Sequence, residues 1–127
     1  MSGRVVHFEL PYDDGERANE FYRQVFGWDL TPVPEMDYTM VTSGPSGEEG
    51  PTEPGYINGG MMKREAPFTA PNIVIDVENL EAALEKINQA GGTTIAERQA
   101  VGEMGFAASF QDSEGNIVGL WENPTPA

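Results

Sequence analysis

Apolar and polar positions along the chain change period several times. Ala18, Phe21, Tyr22, Val25 and Phe26 recur at i, i+3, i+4, i+7 and i+8, the signature of one helix face. Asp13-Asp14-Gly15-Glu16 precedes them, with an acid at the cap position and a glutamate three residues later, as in a capping box. Gly27 is placed to end the helix in a left-handed turn. Leu80, Ala83, Leu84 and Ile87 form a second such face, with Asn79 as its cap and Gly91-Gly92 as its stop. Each helix follows a short alternating run, VVHFEL (5–10) in the first case and NIVIDV (72–77) in the second, the period-2 pattern of a strand.

The two runs belong to one repeated unit. With His7 set over Asn72, Phe8 falls on Ile73, Leu10 on Ile75, Ala18 on Ala83, Gln24 on Gln89 and Gly27 on Gly92, without a gap. Three further strand-like segments follow each helix, near 28–34, 37–43 and 55–63, and again near 93–100, 104–111 and 116–122. Residues 43–55 read as a loop from their Gly, Pro and Glu content. Residues 64–71 read as a linker, and 112–116 as a turn. The predicted organisation is α+β, one domain over 1–127, with module one over 3–63 and module two over 72–122. Each βαβββ module should cover one sheet face with its helix. Two such curved sheets would make a cup-like mixed sheet with the helices outside, and its concave face is a natural place for a small molecule.

Composition narrows the possible partners. The 127 residues carry a net charge of −14, and the only lysines are Lys63 and Lys86. That argues against nucleic acid and anionic membrane, both of which need clustered positive charge. The acidity could also reflect a high-salt habitat. No apolar run approaches a membrane span, the first residues lack a secretory pattern, and cysteine is absent, so a cytoplasmic protein is expected.

The candidate chemistry starts at His7, the only histidine, with Glu9 two residues on. One His and no Cys exclude thiolate sites and two-histidine sites within a single chain. The pair could still hold a hard cation weakly, act as general base and acid, line a binding site, or be structural. Alternation places Phe8, Leu10, Ile73 and Ile75 under the helices, and Val5, His7, Glu9, Asn72 and Val74 on the opposite faces. Ile117, Gly119 and Trp121 should join them from the last strand. Met40 with Met61 or Met62 could supply a soft apolar wall, and Gly59-Gly60 could mark a close approach of backbone to ligand or neighbour. Trp28 reads as core, whereas Trp121 could be core or ligand-stacking.

Residues 7–28 (HFELPYDDGERANEFYRQVFGW), 55–64, 72–92 and 105–122 (GFAASFQDSEGNIVGLWE) resemble single-domain members of the vicinal oxygen chelate superfamily, which includes glyoxalase, bleomycin-resistance and extradiol dioxygenase proteins. The resemblance implies a metal held by one ligand from the first and last strand of each half. It puts His7 in the first position, Asn58, Gly59 or Gly60 in the second, Asn72 in the third and Gly119 in the fourth. Only the first is a transition-metal ligand, so no cofactor is expected beyond a divalent ion at His7 and Glu9, if any. The resemblance also implies a homodimer. The expected function is metal-independent binding of a small molecule by His7, Glu9, Met40, Asn58, Gly60, Met62, Asn72, Val74, Gly119 and Trp121. The alternatives are a glyoxalase-like lyase, isomerase or dioxygenase using His7 and Glu9, and an interaction module.

Overall fold

The computed structural model describes residues 3–124. Its contacts divide the chain into two compact units, His7–Pro71 and Asn72–Ala127, the latter joined by Met1–Val6. Both are βαβββ, as the repeat predicted. Residues 3–6 therefore pack with the second module rather than the first. Gly3 donates its N–H to the Asp76 carbonyl, and Asp76 returns one to Arg4.

The first unit takes β1 (Val5–Tyr12) from His7 onward, then α1 (Gly15–Phe26), β2 (Asp29–Val33), a short 3-10 turn, Pro34–Met36, and β3 (Tyr38–Thr42). A small hairpin follows, β4 (Ser46–Gly47) and β5 (Gly50–Pro51), then β6 (Gly59–Lys63). The hairpin lies inside the stretch expected to be irregular, and Glu48-Glu49 form its exposed tip. The main strands order as β2-β3-β6-β1, with β1 parallel to β6 and the other pairs antiparallel. Leu30, Val41 and Met61 form the core, against which Phe8, Leu10, Tyr12, Ala18, Tyr22 and Trp28 pack.

The second unit comprises β7 (Asn72–Asp76), α2 (Leu80–Gln89), β8 (Thr93–Val101), β9 (Gly105–Gln111) and β10 (Ile117–Glu122). Its strands order as β7-β10-β9-β8, with β7 parallel to β10. Leu80, Leu84, Ala108, Phe110, Val118 and Leu120 form its core, with Ile75, Val77 and Ile87 packed on it. No helix among the described residues is long and apolar enough to cross a membrane.

Three details differ from the sequence pattern. The first helix is capped by Asp14, not Asp13: the Asp14 carboxylate accepts the Arg17 N–H at 3.1 Å, so Glu16 completes no capping box. Asp13 instead pairs with Arg64 at 2.9 Å. Asp14→Ala should therefore cost about 1 kcal/mol in urea unfolding, while Asp13→Ala, which breaks only an exposed ion pair, should cost less than about 0.5 kcal/mol. The second difference is the apolar stripe of α1, which overshoots its core contact. Phe21, Val25 and Phe26 remain 53%, 54% and 61% exposed, because the helix rests on the sheet through the Ala18–Tyr22 side. Finally, Ile73, at the start of its strand, is 41% exposed and outside the core that holds Ile75.

Candidate functional site

In the first unit the pleat separates two faces. Phe8 and Leu10 face α1, so His7 and Glu9 point to the other side. Glu9 sits opposite Gly60 on β6, Gly60 opposite Met40 on β3, and Met62 opposite Tyr38. Glu9, Gly60, Met62, Tyr38 and Met40 therefore share the helix-free face with His7. Met61 has the opposite parity and is 1% exposed in the core, so of the two methionines only Met62 lies on this face.

Tyr38 links these residues. Its hydroxyl lies 2.8 Å from His7 Nε2 and donates to Glu9 Oε2 at 3.1 Å. The imidazole and phenol rings are inclined by only 16°. Gly60 makes this possible: a Cβ there would collide with the Tyr38 ring and hydroxyl. Gly59 has the opposite role, since a Cβ there would collide with the Phe8 carbonyl and ring on the helix side. The two glycines thus mark close approaches of neighbouring groups from opposite faces.

The electrostatics follow from burial. Desolvation lowers the His7 pKa below its ordinary 6.5, so the imidazole is neutral at pH 7. Desolvation raises that of Tyr38, and the Glu9 charge and hydrogen bond raise it further, so Tyr38 stays a phenol.

Asn58 does not point into this group. Its Oδ1 accepts the Ser43 N–H at 3.0 Å and its Nδ2 donates to Ser46 Oγ at 2.8 Å, pinning the loop before β6. Asn72, Val74, Gly119 and Trp121 lie in the second unit. Gly119 pairs with Val74, and a Cβ on it would approach Val74 Cγ2 at 3.0 Å. Asn72 has both amide atoms, and Ser109 its hydroxyl, buried without a hydrogen-bond partner among the described residues. Trp121 lies against Gly105 and donates its indole N–H to Asn123 at 3.0 Å. Trp28 is core, stacked on Tyr22 at 4.8 Å.

The family model for Bleomycin resistance protein-like N-terminal regions matches residues 4–44. Over 125 residues the chain is 34% identical to the lactoylglutathione lyase of Escherichia coli O157:H7, covering 94% of this chain and 92% of that one. The chain belongs to the vicinal oxygen chelate superfamily. Solved structures share the fold at lower identity. A glyoxalase/bleomycin resistance protein/dioxygenase superfamily member from Vibrio splendidus 12B01 superposes with a TM-score of 0.62 at 16% identity, over 95% of this chain and 98% of that one. A variant of the Streptomyces coelicolor methylmalonyl-CoA epimerase, in complex with 2-nitronate-propionyl-CoA, reaches 0.68 at 18% identity, over 98% and 100%.

The donor set does not fit the metal that this superfamily implies. His7 is the only one of the four positions that carries a transition-metal ligand, and its Nε2 contact with Tyr38 leaves it without a second such ligand beside it. Gly119 offers no side chain at the fourth position, and the candidates for the second, Asn58, Gly59 and Gly60, include no transition-metal ligand. The described residues contain no group of three His, Cys, Asp or Glu side chains placed to hold a metal ion.

The sequence reading missed Tyr38. The available signal was its alternation with Met40, which puts both on one face of a strand.

Proposed function

We propose that this chain is a small-molecule-binding member of its superfamily that works without a transition-metal centre. His7, Tyr38 and Glu9 are the polar recognition group, and Met40 and Met62 the apolar wall. The observation that carries this reading is that His7 stands without a second transition-metal ligand beside it among the described residues and is joined instead, through Tyr38, to Glu9. Polar side chains satisfied by one another on a sheet face flanked by methionines suit a ligand with an apolar body and a polar handle. The −14 charge disfavours anionic ligands. The absence of cysteine supports a cytoplasmic location, and the family resemblance supports a homodimer.

Isothermal calorimetry with a panel of aromatic and aliphatic small molecules, before and after chelator treatment, tests this. Binding should survive chelation, and His7→Ala should weaken it about tenfold, the loss of one hydrogen bond. Binding that appears only on adding Zn, Ni or Mn would overturn the metal-independent reading.

A second reading is a glyoxalase-type lyase or isomerase, supported by the 34% identity to a lactoylglutathione lyase. Here neutral His7 acts as the general base. Turnover of the methylglyoxal–glutathione hemithioacetal, with and without divalent metals, separates the two readings.

A further inference from the structure

His7 is the only histidine, and its two ring nitrogens have different surroundings. A neutral imidazole has one donor and one acceptor nitrogen, and a phenol has a single proton to donate. The Tyr38 proton goes to Glu9 Oε2, a carboxylate oxygen that only accepts. The Tyr38 oxygen must then accept from His7, across the 2.8 Å contact to Nε2. Nε2 therefore carries the imidazole proton, and Nδ1 carries the lone pair. Nδ1 has no hydrogen-bond partner among the described residues and is not one of the fully buried, unpartnered polar atoms. Gly60 gives the Tyr38 ring the room for this contact, because any side chain there would displace it.

We propose that Tyr38 and Glu9 are positioning residues that hold His7 in one tautomer with Nδ1 outward as an acceptor, so that the ligand docks through an O–H or N–H donor. The ligand class rests on the small-molecule reading above; the tautomer does not. The arrangement deepens that reading: a ligand handle that can only accept, such as an ether or a ketone, finds no donor at His7.

The test uses the full chain labelled with 15N-histidine, whose spectrum contains one imidazole. Long-range 1H–15N correlation is recorded at about pH 8, where histidine is neutral. The expected spectrum has a protonated Nε2, a bare Nδ1, and an Nε2 proton slowed in exchange with water. Tyr38→Phe keeps the ring and removes the hydroxyl. It should lose the slowed proton and move both nitrogens towards the tautomer average. A wild-type spectrum with Nδ1 protonated, or already averaged, overturns the proposal without recourse to any variant. An unchanged spectrum in a folded Tyr38→Phe variant overturns the role of Tyr38.

Benzyl alcohol and benzyl methyl ether then probe the ligand class. The alcohol should shift the Nδ1 resonance and the ether should not. Equal shifts overturn the donor preference. If neither probe acts while the tautomer is as expected, the ligand half falls together with the small-molecule reading, and the positioning role stands.

Discussion

Gly59→Ala should destabilise the protein by about 3 kcal/mol, the upper end for overpacking, and lower the melting temperature by about 10 °C. Part of what a Cβ would meet there is the Phe8 backbone carbonyl on the parallel neighbour β1, so no side-chain rotation relieves the collision. Relief requires the two strands to part, which disturbs the ladder from Phe8–Gly59 to Tyr12–Lys63. Gly60→Ala, one residue on, meets only the Tyr38 side chain among its three nearest contacts. Swinging that ring away costs less, about 1 kcal/mol, but removes the partner of His7. Differential scanning calorimetry should rank Gly59→Ala well below Gly60→Ala in stability. Ligand-binding assays at a temperature where both are folded should rank them in the opposite order. Equal melting temperatures would show that the backbone collision at Gly59 is relieved as cheaply as the side-chain collision at Gly60.

Glu122→Ala should cost about 2–3 kcal/mol. Glu122 accepts the backbone N–H of Leu80, the first residue of α2, at 2.8 Å, and Leu80 is 0% exposed. Truncation strands that buried N–H without water or protein to receive it. The second carboxylate oxygen accepts from Arg98 at 3.0 Å, while the Arg98 guanidinium lies over the Phe106 ring. Arg98 is partly exposed and can be rehydrated, so its loss of a partner adds little. Glu122→Gln retains an acceptor for Leu80 and should cost about 1 kcal/mol.

The pH dependence separates charge from hydrogen bonding at this position. Arg98 and the Leu80 N–H hold the Glu122 carboxyl below its ordinary 4.5. A carboxyl lowered on folding contributes stability above its unfolded value, and that contribution is lost as pH falls through the folded value. Denaturant unfolding of wild type and Glu122→Gln should therefore differ by a constant amount from about pH 7 down to about pH 5. The gap should close in more acid solution. The difference is the meaningful quantity, because protonation also relieves the repulsion of a chain with net charge −14. A gap independent of pH would assign the whole effect to hydrogen-bond geometry.

The helices and strands were legible because the signals that specify them are local. Asn79 caps α2 by accepting the Ala82 N–H at 2.9 Å, and Gly27 closes α1 at φ 71°, both as their positions in the sequence required. The third and fourth strands of the second unit match the predicted segments to within a residue or so. The stripe Ala18–Phe26 was over-read for a related reason. Periodicity says which residues share a face, but not how wide a band of that face its neighbour covers. Phe21, Val25 and Phe26 have the right period and still meet solvent.

The candidate site was legible only in part. Parity alone put His7 and Glu9 on one face, whereas the choice between Met61 and Met62, and the alignment of Met40 and Gly60 with His7, needed the register of β1, β6 and β3. Asn58 shares the same sequence logic, yet its amide is used to pin a loop. Tyr38 could not be ranked above other strand tyrosines, because its importance lies in a register. The pairing of β3 with β6, and of β6 with β1, brings residue 38 alongside residues 7 and 9.

By itself the sequence determined the repeated βαβββ plan, the family, and the poverty of its metal-ligand set. These depend on residue identity and short-range order, which a linear chain carries in full. Only the tertiary structure decided that His7 Nε2 meets a phenol, that two adjacent glycines serve opposite faces, and that Glu122 caps a helix 42 residues away. Those facts depend on strand register and on the packing of distant segments. A one-residue slip in either would exchange the faces, and nothing in the local pattern records it.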